Sequence, residues 1–306
     1  MSKTPAPQST AAPKKGHSDT KTLPVPRPLS PRSGAAQKLP VPKPDSSGSG
    51  AAQRVVSGLR LRTTFSVAGD RFVWGGGLCV VGEDLACVGG RGSVRTVDMA
   101  GRVTRTVSGV CESRCGRIVR GDDGEVFVGS YGDRKISRVS ADGAVSTFSS
   151  LTFSPHGLTQ LSSGRQLVCG EGGLYIVSGR GVQRVKLGVD VKYARDVSVN
   201  SKGDVAVADW FGGKVCILDG QYKHVGTYSP IDGAILSSQS DIGRREFVIC
   251  DRDNRTIDTI DRRGVCLSVY PTADDCREWP LYVDVLPSNC VWVLFDGGHV
   301  CVYDQI

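Results

Sequence analysis

Apolar and polar residues alternate with period two through most of the chain, and glycine-rich turns interrupt the alternation at short intervals. From Asp204 the sequence runs Asp-Val-Ala-Val-Ala-Asp, then Trp210-Phe211-Gly212-Gly213, then Lys-Val-Cys-Ile-Leu-Asp to Asp219. Two alternating runs joined by a tight glycine turn predict a β-hairpin. The pattern recurs over Glu246–Asp261 and Glu125–Ser140, and more weakly from Asp84, Gln166 and Cys290. Superposing the copies makes Val88, Gly129, Gly170, Ala208, Cys250 and Leu294 equivalent, at spacings of 41, 41, 38, 42 and 44 residues. A period near 40 with four short strands per unit predicts propeller blades, and six units fill the length. Helical periodicity is almost absent, which excludes an α-solenoid.

Each hairpin needs a strand on either side. Gly157-Leu-Thr-Gln-Leu161 and Tyr282-Val-Asp-Val-Leu286 precede their hairpins as inner strands, and Val265-Cys-Leu-Ser-Val-Tyr270 follows one as an outer strand. The sixth unit lacks an outer strand, while Leu59–Val67 stands spare ahead of the first. The expected fold is therefore all-β: a six-bladed β-propeller over residues 54–306, closed by this N-terminal strand so that no sheet edge is left exposed. Gly75-Gly76-Gly77 is followed by a strand and not a helix, so it reads as a blade entrance and not as a phosphate cradle.

Residues 1–53 break the pattern. They hold most of the prolines, no cysteine and no aromatic residue, so no apolar face can form and a disordered tail is expected. Eight Lys or Arg against two Asp give this tail +6 of the chain's net +7, which leaves the rest almost neutral. Two copies of a stiff polyproline II segment, Leu-Pro24-Val-Pro26-Arg27-Pro28 and Leu-Pro40-Val-Pro42-Lys43-Pro44, suit the aromatic grooves of polyproline-binding domains. Ser30, before Pro31, is a candidate for proline-directed phosphorylation, which would offset part of the local positive field. No apolar run is long enough for a signal peptide or a membrane span, so a cytoplasmic or nuclear setting without a membrane partner is expected.

Most of the eleven cysteines lie in Val/Ile-rich runs such as Leu85-Ala-Cys87-Val88, and read as small buried apolar side chains. Cys111-Glu-Ser-Arg-Cys115 is the exception. It is either half of a zinc site that Cys79 or Cys276 joins on ring closure, or a loop dithiol in which Arg114 lowers the Cys115 pKa.

Three segments resemble the NHL repeat: the Val-Ala-Val-Ala-Asp209 core, its variant Val-Ile-Cys-Asp251-Arg-Asp-Asn254-Arg, and the blade entrance Ser154-Pro155-His156-Gly157-Leu158. The likeness covers about Arg54 to Ile306 and is strongest in units three to five. It implies kinship with the propellers of tripartite-motif proteins, which serve as RNA- or protein-binding platforms in the ubiquitin pathway. More distantly it implies six-bladed lyases and lactonases with a metal in the central channel. No zinc framework precedes the propeller, since the tail offers His17 but no cysteine, so ubiquitin transfer by this chain is not expected.

Three functional readings follow. A non-catalytic adaptor, needing no cofactor, would bind a protein or peptide on a propeller face. An RNA-binding propeller would use the arginine-rich first two units, where Arg91, Arg95, Arg114, Arg117, Arg120, Arg134 and Lys135 fall near expected loops or strand ends, with Tyr131 for base stacking. A metal-dependent lyase or hydrolase would use His156, Asp196 and Asp232 at successive blade entrances, with Arg195 adjacent. The binding readings are preferred, because Asp and His at strand starts commonly bond loop amides and no equivalent ligand appears at the other entrances.

Overall fold

The computed structural model describes residues 58–67, 76–161, 164–230, 236–241, 246–285 and 290–305. The expected tail disorder, both proline motifs, Ser30 and Asp232 lie outside these residues.

Twenty-four strands form six four-stranded antiparallel sheets, and no helix occurs among the described residues. Blade 1 is β2 (Leu78–Gly82), β3 (Leu85–Gly89), β4 (Ser93–Asp98) and β5 (Val103–Ser108). Blade 2 is β6 (Cys115–Arg120), β7 (Val126–Ser130), β8 (Lys135–Val139) and β9 (Val145–Ser150). Blade 3 is β10 (Leu158–Leu161), β11 (Arg165–Gly170), β12 (Gly173–Ser178) and β13 (Gly181–Arg184). Blade 4 is β14 (Ala194–Val199), β15 (Val205–Asp209), β16 (Lys214–Leu218) and β17 (His224–Tyr228). Blade 5 is β18 (Leu236–Asp241), β19 (Glu246–Asp251), β20 (Thr256–Asp261) and β21 (Cys266–Pro271). Blade 6 is β22 (Pro280–Val285), β23 (Cys290–Phe295), β24 (His299–Gln305) and, from the start of the chain, β1 (Leu59–Ser66).

The closing strand takes the expected place, pairing antiparallel with β24 from Leu59↔Gln305 to Ser66↔His299. A bulge between Leu61 and Thr63 reverses which side of the sheet its alternate residues face. Leu59 and Leu61 therefore pack toward blade 5, whereas Phe65 packs edge-on against Trp292 in the seam with blade 1, ring centroids 6.1 Å apart.

Six apolar clusters occupy the six seams between neighbouring blades. They are built from alternate residues of the middle strands, so each blade buries both faces and its central strands read as near-continuous apolar runs. A fully buried Val, Leu, Ile or Phe contributes about 1.5–3 kcal/mol, and every seam holds several. Nine of the eleven cysteines are buried and none forms a disulfide, in line with their reading as core side chains. Glycine at the blade entrance permits close approach of inner strands: a Cβ on Gly77 would lie 2.2 Å from the carbonyl oxygen of Gly116.

One detail of the repeat differs from expectation. Cys169, not Gly170, bonds the entrance carbonyl of Gly157 in blade 3, and Gly89, not Val88, bonds that of Gly77 in blade 1, the places that Ala208, Cys250 and Leu294 hold against Asp196, Ser238 and Tyr282. The turn between β11 and β12 has only two residues, where blades 2, 4 and 5 have four, so a superposition based on spacing slips at blade 3.

Candidate partner-binding face

In an antiparallel blade the inner strand begins at the same end as the turn between its second and third strands. The crossovers between blades and these six turns therefore converge on one face of the ring. An aspartate at the end of the second strand ties the two together. Asp209 accepts hydrogen bonds from the amides of Lys192 (3.1 Å) and Tyr193 (2.9 Å) in the incoming crossover and of Gly212 (3.1 Å) in its own turn. In blade 2, Asp133 within the turn takes the same role toward the amides of Glu112 (2.7 Å) and Ser113 (3.2 Å). The Ala-Asp signature of the repeat is thus a backbone clamp that sets where the turn and crossover side chains point.

Those side chains form an aromatic row across blades 2 to 4. Tyr131, from the β7–β8 turn, lies 5.0 Å from His156 between ring centroids; His156 is 4.9 Å from Tyr193, and Tyr193 is 4.8 Å from Phe211 of the β15–β16 turn. Both ends reach solvent, with Tyr131 50% and Phe211 56% exposed, while His156 in the middle is 8% exposed. Arg195 donates to His156 Nδ1 at 3.4 Å and lies over the Trp210 ring at 5.3 Å. Because a guanidinium can only donate, Nδ1 accepts, and the ring proton sits on Nε2, which donates to the Tyr193 hydroxyl at 2.9 Å. Burial, with Arg195 adding to it, pushes the His156 pKa down to about 3, so the ring is neutral. A depression of about 430 Å³ is bounded by residues of the 185–191 loop and by Gly172 and Arg184 of blade 3.

The central channel is crossed by a charge cluster. Arg117 of β6 is 5% exposed; its Nε stands 3.8 Å from Asp196 Oδ1 of β14 and its Nη1 donates to the Val283 carbonyl of β22 at 3.5 Å. Burial alone would depress Arg117, but the carboxylates of Asp196 and Asp284 hold its pKa above the ordinary value. Asp284 also accepts from the Val80 amide at 2.7 Å. A single cation thus ties the inner strands of blades 2, 4 and 6.

The sequence-derived candidates separate accordingly. Arg91, Arg114, Tyr131, Arg134, Lys135, His156 and Arg195 share the crossover face, with Arg91 and Arg114 joined by an isolated backbone bridge. Arg117 is not on a surface but inside the channel, Arg120 is exposed at the opposite end of β6, and Arg95 is half-buried in the middle of β4. Of the proposed metal ligands, Asp196 engages Arg117, and both ring nitrogens of His156 already have partners. Cys111 and Cys115 do meet, Sγ to Sγ 3.0 Å, and both are buried. The expected lowering falls on the other thiol: the hydrogen bond between them lowers Cys111 and raises Cys115. Cys276 lies not with this pair but beside Cys301. Tyr193, Trp210 and Phe211 are not among the sequence-derived candidates, although aromatic rings in turn and crossover positions that usually hold Gly, Asn or Asp are a readable signal.

Solved structures with the same fold include a streptogramin B lyase, 12% identical with a TM-score of 0.62 over 78% of this chain and 97% of that one. A catalytically inactive virginiamycin B lyase from Staphylococcus aureus, determined with quinupristin, is 12% identical with a TM-score of 0.63 over 81% of this chain and all of the other. The WD40 β-propeller domain of Doa1 is 15% identical with a TM-score of 0.59 over 75% of this chain and 78% of that domain. No family model and no curated protein matches the chain. The likeness is one of fold, that of a six-bladed β-propeller.

Proposed function

We propose that this propeller is a non-catalytic platform that binds a protein or peptide segment along the crossover face of blades 2 to 4. The observation that carries the reading is the continuous Tyr131–His156–Tyr193–Phe211 row, whose two ends are half-exposed rings held on clamped turns. Aromatic anchors on a rigid frame are the usual source of binding energy at protein interfaces, because they bury large area at low entropic cost. The repeat likeness to NHL propellers supports the same class. Charges beside the row are of mixed sign, with Asp133, Glu171 and Asp190 interleaved among Lys135, Lys192 and Arg195, which suits a polypeptide better than a polyphosphate. A lyase-type metal in the channel is disfavoured by chemistry: a cation would have to displace Arg117 from Asp196 and take a ring nitrogen of His156 from Tyr193 or Arg195.

RNA is the second reading, favoured by Arg91, Arg114, Arg134 and Lys135, which share the crossover face of blades 1 and 2 with Tyr131. A photo-crosslinking side chain placed at Phe211 of the full chain, with Val265 on the opposite face as control, separates the two. The platform reading expects nuclease-resistant protein adducts at position 211 only, and at least about ten-fold weaker capture in Tyr131→Ala. Adducts removed by nuclease would establish RNA, and equal adducts at both positions would refute the face.

A further inference from the structure

A second cluster lies on the same rim, between blades 5 and 6. Cys276 and Glu278 stand two residues apart in the crossover that leads into β22, and His299 opens β24 across from them. One ligand atom of each, the Cys276 thiol, a Glu278 carboxylate oxygen and a His299 ring nitrogen, lie within 4.8 Å of one another. His299 Nδ1 is 2.9 Å from Glu278 Oε2, the oxygen that also accepts the Gly297 amide at 2.9 Å. Gly297 has no room for a Cβ, because the Glu278 carboxyl packs onto it. The carboxylate is thereby fixed by backbone on one side and imidazole on the other. Cys301 lies two residues beyond His299 on β24, and its thiol hydrogen-bonds that of Cys276.

We infer that Cys276, Glu278 and His299 form a zinc site that staples the blade 5–6 crossover to the strand on which the ring closes. Zinc accepts mixed thiolate, imidazole and carboxylate ligands, whereas calcium and magnesium select oxygen. Bonds of about 2.0–2.3 Å to a tetrahedral ion put ligand atoms about 3.4 Å apart. The present spread, from a hydrogen bond of 2.9 Å to a limit of 4.8 Å, reaches that by side-chain rotation. The site is distinct from the Cys111–Cys115 pair and from the channel, and it joins the blade 5–6 crossover to β24, the strand with which β1 pairs.

The test is titration of chelator-treated full chain with Zn²⁺ alone, followed by calorimetry, and with Co²⁺ alone, followed by its thiolate charge-transfer absorption. One ion per chain is expected. Cys276→Ser and His299→Gln should each weaken Zn²⁺ by at least about ten- to a hundred-fold, Cys111→Ser should leave it unchanged, and affinity should fall as pH drops because the ligands must deprotonate. Glu278→Gln, a half-buried rim substitution, serves as the third variant should either of the others fail to fold. Absence of stoichiometric Zn²⁺ in the wild type, affinity unchanged in the folded ligand variants, or loss in Cys111→Ser would each overturn the site.

Discussion

Acidification from pH 7 to pH 5 should cost the wild-type propeller stability that a His156→Gln variant does not lose. In the unfolded chain His156 titrates near its ordinary 6.5, whereas in the folded ring burial holds it at about 3. Between those values the folded state binds fewer protons than the unfolded one, so stability rises with pH up to about 6.5, is level above it, and is lost as pH falls toward 3. Each pH unit in that window is worth about 1.4 kcal/mol, so the window from 6.5 to 5 amounts to about 2 kcal/mol. With the side chain 8% exposed, little solvent screening reduces this. Asp251 works in the opposite direction: burial raises it to about 6, so its folded form takes up a proton on acidification and gains about 1 kcal/mol by pH 5. The wild-type profile alone would blur the two, but Asp251 is common to both chains and cancels in their difference. Urea midpoints at pH 7, 6 and 5 should show the wild type losing about 2 kcal/mol relative to His156→Gln, equivalent to about 4–8 °C in Tm for a domain of this size. Parallel profiles would mean that the ring is not held neutral between Tyr193 and Arg195, and the account of the aromatic row would fail with it.

Replacing Arg117 by Met leaves Asp196 and Asp284 as uncompensated carboxylates in the channel and should cost about 3–5 kcal/mol by denaturant midpoint; adding Asp196→Asn should recover part of that loss, and a strictly additive double variant would refute the pairing. Deleting Leu59–Ser66 exposes the β24 edge and uncovers Trp292, so the truncated chain should melt lower and self-associate, and retention of both Tm and monodispersity would contradict ring closure by this strand.

The frame was legible because its signals are local. Period-two alternation, tight glycine turns and a spare strand opposite a missing one need no knowledge of distant neighbours, and even the closing partner of β24 followed from counting strands. The site was less so. In Cys115-Gly-Arg117-Ile-Val-Arg120 the two arginines look alike as sequence, yet one sits in the channel and the other on the far face. The difference lies in counter-charges from blades 4 and 6 that only ring closure brings near Arg117. Arg117, Asp196 and Tyr282 fall at or just past a bulge that opens the inner strands of blades 2, 4 and 6, and blade 5 has the same bulge at Ser238. Turn and crossover residues carry the remaining information. The repeat requires of them only an Asp clamp and, at Arg134, Gly213 and Arg255, a left-handed backbone. Every other position there is free to vary without disturbing the blades, which is why Tyr131, Tyr193, Phe211 and the Cys276–Glu278 pair can differ from one copy to the next. Departures from the repeat at those positions, more than agreement with it, mark where this propeller's own chemistry resides.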